Sequence, residues 1–299
     1  MKRALTIGIA VVLVIVAVAG GAFAFAVWLG EHKLEREVLV KVVPVAYASG
    51  PAALKQGRYL YETRGCVSCH GPDGSGRVMI DEPNGMFVRT PNITRGPGSV
   101  VADYAEADWV RAIRHGVNPK GHALFLMPSE LYNRLSDADF AALVAHVRSM
   151  PPIAGQTPAV RLPFFVKALY GLDVIRDASE KIAHSLPPPQ PVAAGANTEY
   201  GGYVARICTG CHGESFAGGR GPETPPHDPE PANLTPGQGT VMTRYDTLEK
   251  FAAMMHSGKR PDGSEVRMPV EMLAAFNDTD IAAVYVYLKT LPAKPTGSR

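Results

Sequence analysis

The sequence lacks an excess of charge of either sign. It has 30 Lys and Arg against 28 Asp and Glu in 299 residues, a formal net charge of +2, and the basic residues are interspersed rather than clustered. Proteins that bind DNA or RNA usually have clustered basic residues, so no nucleic-acid partner is expected. With 19% charged and 46% hydrophobic residues, the chain is neither disordered by composition nor apolar enough for a polytopic membrane protein.

Long apolar runs are also absent, except for one at the N-terminus. The 27 residues between Arg3 and Glu31 carry no charge, and about 20 helical residues suffice to cross a bilayer. We therefore expect a transmembrane anchor in residues 1–30, followed by a flexible spacer in 31–50. Because Lys2 and Arg3 precede the run, the rest of the chain is expected on the periplasmic side of a bacterial inner membrane. The alternative is a cleaved signal peptide ending near Ala22-Phe23-Ala24.

Internal repetition divides the remainder of the chain. A shift of 141 or 142 residues superimposes much of 59–151 on 201–292, which indicates a duplication. We expect one domain in 51–153, a second in 196–295, and a semi-rigid Pro-rich linker in 154–195. The two domains should be all-α, with long loops rich in Gly and Pro and no convincing sheet. Apolar residues near Phe164 and Leu172 predict a short linker helix that packs against a domain; the alternative is that it lies on the membrane surface.

Helix signals recur at the end of each repeat. The segment Ser136-Asp137-Ala138-Asp139 has the pattern of a capping box before an amphipathic helix. In the second repeat, Asn277 or Asp278 is expected to begin the equivalent helix.

Cysteine is scarce, which excludes a disulfide scaffold for a chain of this length. The four cysteines form two C-x-x-C-H motifs, Cys66 to His70 and Cys208 to His212. Thiols three residues apart lie on one side of a helical turn, where both can form thioethers with a porphyrin, and the adjacent histidine reaches the iron. The motif is the attachment signature of c-type haem. Structural zinc would need a second ligand pair per site, so we expect two covalently bound haem c groups, held by Cys66, Cys69, Cys208 and Cys211.

The sixth iron ligand is predicted from repeat equivalence. Met127 follows His70 by 57 residues, Met268 follows His212 by 56, and both precede Pro. A thioether is a soft, neutral ligand that favours ferrous iron. The alternatives are His115, His122 and His256, which would make a site with two axial histidines.

Both halves resemble class I cytochrome c domains. In that family, a Gly four residues before an aromatic on the N-terminal helix crosses an aromatic on the C-terminal helix. Gly57 and Tyr61 fit in the first half. In the second half Tyr203 and Tyr287 fit, whereas Glu199 stands in the Gly position, and His146 replaces the aromatic of the first half.

The resemblance also implies contacts to the haem propionates. The recurring pairs Asn92 with Thr94 and Asn233 with Thr235 are candidates, and the alternative for them is ordinary Asx-turn chemistry. Arg64 and Arg206, one turn before each motif, are either propionate partners or solvated side chains.

The segments Thr90–Thr94 and Asp108–Gly116 are similar to those of the cytochrome c subunits of membrane-bound alcohol and sugar dehydrogenases. This resemblance implies a membrane-tethered electron relay without substrate chemistry of its own. Its donor would be a dehydrogenase or a quinol-oxidising complex, and its acceptor a protein such as a terminal oxidase. The alternative is a dihaem redox enzyme of the peroxidase or sulfur-compound oxidase type.

Overall fold

Helices dominate the computed structural model of the chain, in which residues 2–221, 224 and 229–298 are described. The predicted helical class is confirmed. The α-helices within these residues are α1 Lys2–Glu35, α2 Pro51–Thr63, α3 Cys66–His70, α4 Glu106–His115, α5 Asp137–Ser149, α6 Phe164–Gly171, α7 Ala178–Lys181, α8 Thr198–Ala205, α9 Thr209–His212, α10 Leu248–Ser257, α11 Val270–Ala274 and α12 Asp278–Thr290.

The first half is built on the crossing of α2 and α5. Gly57 permits this crossing, because a Cβ at that position would lie 1.9 Å from the carbonyl oxygen of Ala142. The predicted cap is confirmed, since the Ser136 side chain accepts a hydrogen bond from the Asp139 backbone N–H at 3.2 Å. His146 replaces the expected aromatic on α5, and its ring meets Tyr61 edge-on with centroids 5.5 Å apart.

The second half repeats this crossing with α8 and α12. The close contact occurs at Gly201, where a Cβ would lie 2.1 Å from the carbonyl oxygen of Ala283 and 2.7 Å from the Cβ of Tyr287. The assignment of Glu199 to the glycine position is therefore wrong by two residues. The first repeat has two more residues between its crossing glycine and its first cysteine. In these helices Tyr59, and not Tyr61, is thus the counterpart of Tyr203.

A small antiparallel sheet contradicts the expectation that no sheet would form. Its strands are β1 Val78–Asp81, β2 Phe87–Arg89 and β3 Ala159–Arg161, in the order β1-β2-β3. A tight turn joins β1 to β2, with Gly85 at φ +87° and the Glu82 N–H bonded to the Met86 carbonyl at 2.9 Å. The Pro83-Asn84-Gly85 sequence is a typical hairpin signal. β3 comes from the linker, so its pairing depends on tertiary contact.

The segment after α1 is not a flexible spacer, contrary to the expectation for 31–50. The Val38 N–H bonds the Gly121 carbonyl at 2.7 Å, and the Tyr47 hydroxyl donates to the Tyr104 carbonyl at 3.2 Å. The guanidinium of Arg148 lies over the Tyr47 ring at 3.5 Å. The segment is therefore part of the first domain, and it ties α1 to that domain.

The linker is also well packed. The predicted short helix is confirmed as α6, although it packs against α1, with Val166, Ala168 and Tyr170 buried. Farther along, His184 Nδ1 lies 2.9 Å from His115 Nδ1 on the first domain. The linker thus joins α1 to the first domain by a second route.

Candidate haem sites

Both C-x-x-C-H motifs adopt short helical turns. The first motif forms α3, and the second forms a 3₁₀ turn, Arg206–Cys208, that runs into α9. Burial, together with the neighbouring Cys69, raises the pKa of Cys66 to about 12, and burial also raises the pKa of Cys208 to about 11. Both thiols are therefore neutral at physiological pH, and each packs against the apolar core of its half.

The two histidines are oriented in the same way. The Nδ1 atom of His70 lies 3.1 Å from the Pro91 carbonyl oxygen, and that of His212 lies 2.7 Å from the Ala232 carbonyl oxygen. A carbonyl only accepts, so Nδ1 carries the proton and Nε2 keeps the lone pair that a metal binds. Burial lowers the pKa of His70, which favours the neutral ligand form.

Glycines bring the acceptor carbonyls into position. Gly76 and Gly218 have positive φ, +81° and +63°, and their N–H groups bond the carbonyls of His70 and His212. A Cβ on Gly76 would lie 2.4 Å from the Thr90 carbonyl oxygen, and one on Gly218 would lie 2.4 Å from the Ala232 carbonyl oxygen. Only glycine permits this approach without strain.

The two predicted methionine ligands occupy equivalent loops. Met127 is half-buried and packs against the core of the first half, and Met268 does the same in the second half. The first loop is held to α4 by a hydrogen bond from the Ser129 hydroxyl to the Ala112 carbonyl at 3.0 Å. Met127 also lines a cavity of about 190 Å³ that extends to the linker residues Val166 and Ile175.

The histidine alternatives have other contacts. His115 is paired with His184, and the imidazole Nε2 of His256 lies 3.0 Å from a carboxylate oxygen of Asp278. His122 pairs through its backbone with Glu37 in an isolated β-bridge. The side-chain contacts of His115 and His256 argue against these two as axial ligands. His122 differs, because its imidazole Nδ1 is buried and has no hydrogen-bond partner among the described residues.

An unpartnered buried donor tests whether haem fits the first half. Among the described residues, the buried indole Nε1 of Trp109 has no hydrogen-bond partner, and Trp109 belongs to the core cluster against which Cys66 and Met127 pack. Buried donors in native proteins have partners, and a haem carboxylate is a suitable one. The residues therefore fit haem c. Sequence reasoning did not assign this role to Trp109, although the residue lies within the segment that carries the family resemblance.

The Asn and Thr pairs serve as turn residues. The Asn92 side chain accepts from Thr94 N–H and from the Thr94 hydroxyl, both at 2.8 Å, and donates to the Ile153 carbonyl at 2.7 Å. Asn233 makes the same bonds with Thr235 and with the Lys294 carbonyl. All four residues are buried. The Asx-turn alternative therefore describes the bonds that these residues make, and the propionate role stays a prediction.

Arg64 and Arg206 lie between the two halves. The buried Arg64 guanidinium is 3.7 Å from the carboxylate of Asp280 in the second half, and it covers the ring of Phe276 with 5.6 Å to its centroid. Arg206 donates to the Glu130 carbonyl of the first half at 3.1 Å. Neither arginine is therefore simply solvated. Both are interface residues.

The contact between the halves is reciprocal. Tyr59 donates to Asp280 at 2.7 Å and accepts from the Asn277 N–H at 3.3 Å. Tyr203 makes the equivalent bonds in the opposite direction, donating to Asp139 at 2.6 Å and accepting from the Ser136 N–H at 3.2 Å. The interface is thus nearly isologous, as in a two-fold dimer.

This interface also joins the two haem motifs. A Cβ on Gly65, which precedes Cys66, would lie 3.5 Å from Met272 Sδ, four residues beyond Met268. A Cβ on Gly210, inside the second motif, would lie 2.9 Å from a methyl carbon of Leu131, four residues beyond Met127. The attachment segment of each half therefore contacts the chain that follows the candidate methionine of the other.

Comparison with protein families matches each half separately. Residues 52–147 match the family described as cytochrome C oxidase, cbb3-type, subunit III, and residues 202–292 match the family described as cytochrome c. Two cytochrome c domains imply haem c as cofactor, and two haem groups fit the two domains.

Similar proteins include the fructose dehydrogenase cytochrome subunit of Gluconobacter japonicus, 31% identical over 40% of this chain and 26% of its own length. The gluconate 2-dehydrogenase cytochrome c subunit of Pantoea cypripedii is 31% identical over 42% of this chain and 30% of its own. The cytochrome c subunit of alcohol dehydrogenase (quinone) of Gluconobacter oxydans is 26% identical over 82% and 56%. The chain thus spans about a quarter to just over half the length of these relatives. It belongs to the cytochrome c proteins, with two cytochrome c domains after an apolar N-terminal helix.

Proposed function

We propose that the chain is a membrane-tethered dihaem electron relay. The first haem c would be bound by Cys66 and Cys69, with His70 and Met127 as axial ligands. The second would be bound through the equivalent set, which is Cys208, Cys211, His212 and Met268. Bound haem c supplies reversible one-electron exchange at iron. The backbone carbonyl beside each histidine binds Nδ1 and leaves Nε2 available, and the protein offers a thioether that raises the reduction potential relative to a second histidine.

The reciprocal contact between Gly65 and Met272 and between Gly210 and Leu131 carries this proposal. Because both attachment segments lie in one interface, the two haem groups are expected to be close enough for direct electron exchange. The buried Arg64 and Asp280 and the bonds of Tyr59 and Tyr203 keep the halves in this arrangement.

The proposed membrane location rests on α1, and the proposed partners rest on the names of the relatives. Among the described residues, one helix, Arg3–Glu35, is long and apolar enough to cross a membrane. Three relatives are named as cytochrome or cytochrome c subunits of dehydrogenases. We therefore propose a single-pass protein of the bacterial inner membrane with periplasmic haem domains. It would take electrons from a dehydrogenase or quinol-oxidising complex and pass them to an acceptor such as a terminal oxidase.

Axial ligation is tested with carbon monoxide. The fully reduced protein is expected not to bind it, since Met127 and Met268 occupy both sixth positions. Met268→Ala should lower the potential of the second haem only and allow carbon monoxide to bind there. Met272→Ala is the matched control, because it removes a nearby thioether and should leave binding absent. Stoichiometric carbon monoxide binding by the unaltered protein would favour the alternative of a dihaem redox enzyme.

Partner identity is tested by purification from native membranes in mild detergent. A dehydrogenase recovered in stoichiometric amount would make the chain its electron-exit subunit. Recovery of an oxidase or a quinol-oxidising complex would place the chain in the respiratory chain. Recovery of neither would indicate a carrier that is tethered to the membrane but not bound in a complex. If a dehydrogenase in those membranes is active without this chain, the chain is not its electron-exit subunit.

A further inference from the structure

The linker helix α6 crosses α1 at a defined depth. A Cβ on Gly30 would lie 2.0 Å from the Lys167 carbonyl oxygen, and one on Gly171 would lie 2.4 Å from the Ala26 carbonyl oxygen. The two backbones therefore touch at small residues, as in close helix pairs within membranes. Ala26 and Gly30 belong to the last turns of the apolar run, beside Trp28. This crossing places α6 at the level where the membrane-spanning stretch ends.

The outer face of α6 and the residues after it are apolar and exposed. Phe164 is 67% exposed, Phe165 47%, Leu172 57% and Val174 47%. The opposite face is used for packing, because Val166 and Tyr170, four residues apart, are buried, and the small Ala168 is buried as well. Large exposed apolar side chains grouped in this way mark an interaction surface. We call residues 164–174 the interfacial segment.

Ion pairs form a layer on the side of the segment toward the haem domains. Lys167 bonds Glu31 at 2.8 Å, and Lys33 lies 2.5 Å from Asp173 and 2.9 Å from Glu180. Apolar side chains followed within one or two turns by charged ones match the boundary between acyl chains and headgroups.

A buried carboxylate strengthens this layer. Arg36 lies 2.6 Å from Asp177 and donates to the Tyr170 hydroxyl at 2.6 Å. Burial alone would raise the pKa of Asp177, but hydrogen bonds from Ser179, Tyr170 and Arg36 lower it below its usual value. The carboxylate thus stays charged and bonds the residue that follows α1 to the linker.

We propose that the interfacial segment inserts its apolar face into the lipid surface beside α1 and forms a second membrane contact. The contact orients the first cytochrome c domain. Because Val166 and Ile175 line one cavity with Met127, the loop carrying the candidate ligand of the first haem lies close to the membrane. The first domain therefore faces membrane-embedded redox partners. This inference rests on the proposed insertion of α1.

Lipid photo-crosslinking tests the contact. The haem-loaded full chain is placed in nanodiscs of phosphatidylethanolamine and phosphatidylglycerol, doped with a phospholipid that carries a diazirine high on its acyl chain. Adducts are mapped by mass spectrometry. We expect adducts on α1 and on residues 164–174. Combined Phe164→Asp and Phe165→Asp should abolish the second set and keep the first, with an unchanged haem spectrum.

The matched control is Leu54→Asp, an exposed apolar position in the first turns of α2, where an acidic residue is tolerated. It should retain both sets of adducts. Adducts on α1 alone in the unaltered protein would overturn the second contact while leaving the tether in place. Absence of adducts from α1 as well would overturn the tether itself, and the two failures are thereby distinguished. Equal labelling of residues 164–174 in the Asp variant would also overturn the proposal.

Discussion

Asp280 should be far more important for stability than its repeat counterpart Asp139. The buried Asp280 carboxylate accepts hydrogen bonds from Tyr59 and Tyr200, both at 2.7 Å, and faces Arg64 at 3.7 Å. Asp280→Ala removes the acceptor of two hydroxyl groups and the carboxylate partner of the buried Arg64 cation. Removing one member of a buried ion pair costs about 3–5 kcal/mol. We expect a loss of that size in the free energy of unfolding.

Asp139→Ala is the matched control. Asp139 occupies the same position in the first turn of α5, so the change in helix propensity and in interaction with the helix dipole is the same. It is only half-buried and bonds Tyr203 at 2.6 Å and Gln56 at 3.0 Å, with no cation among these partners. Loss of such neutral donors costs about 1–2 kcal/mol.

The assay is equilibrium unfolding in urea of the haem-loaded full chain in detergent, followed by far-UV circular dichroism and by the haem absorption bands. A third variant combines Arg64→Ala with Asp280→Ala. Because it removes the unpaired cation, it should lose less stability than the sum of the two single variants, by about 1–3 kcal/mol. Equal losses for Asp280→Ala and Asp139→Ala, or strict additivity with Arg64→Ala, would refute the reasoning.

Two further predictions concern the linker. Gly171→Ala places a Cβ 2.4 Å from the Ala26 carbonyl oxygen and should separate α6 from α1, which is measured as faster protease cleavage after residue 171. The control is Gly21→Ala, whose Cβ would have no atom within 4 Å and which should not change the cleavage rate. Equal cleavage of the two variants would contradict the contact. Burial, with His184, Arg114 and Arg111, lowers the pKa of His115 to about 4. Folding of this region is therefore fully favoured above the ordinary histidine pKa of about 6.5 and weakens as the pH falls toward 4. Hydrogen exchange of residues 178–186, corrected for intrinsic rate, should be faster at pH 5 than at pH 7 in the unaltered protein. His115→Gln should reduce that difference, and an unchanged difference would contradict the assignment.

Local patterns were sufficient to predict the helical class and the two cytochrome c domains. The C-x-x-C-H motifs, the repeat and the caps at Ser136 and Asn277 each depend on residues within a few positions of one another or on direct self-comparison. Such features can be recognised without knowledge of the tertiary fold. The family matches confirm the two cytochrome c domains, while the methionine ligands and the domain boundaries stay predictions.

The register of the second repeat could not be read in this way. A constant offset between the two repeats places Glu199 at the helix crossing. The second repeat is two residues shorter before Cys208, and a deletion of this size within a short helix cannot be recognised from the sequence of the repeats. The requirement for close approach between backbones selects Gly201 instead.

The contacts between distant segments were decided by the tertiary structure alone. Arg64 and Asp280 are 216 positions apart, and nothing in the sequence around either residue predicts that they pair. The Tyr59 hydroxyl likewise bonds its acceptor only because helices from the two halves pack together. The same holds for the spacer, the linker and the third strand of the sheet, whose own composition resembles flexible chain. What orders them is burial against surfaces formed elsewhere. The sequence by itself thus determined the helical class and the two cytochrome c domains and predicted how haem c is attached, and the three-dimensional fold determined how the two domains and the apolar helix are arranged.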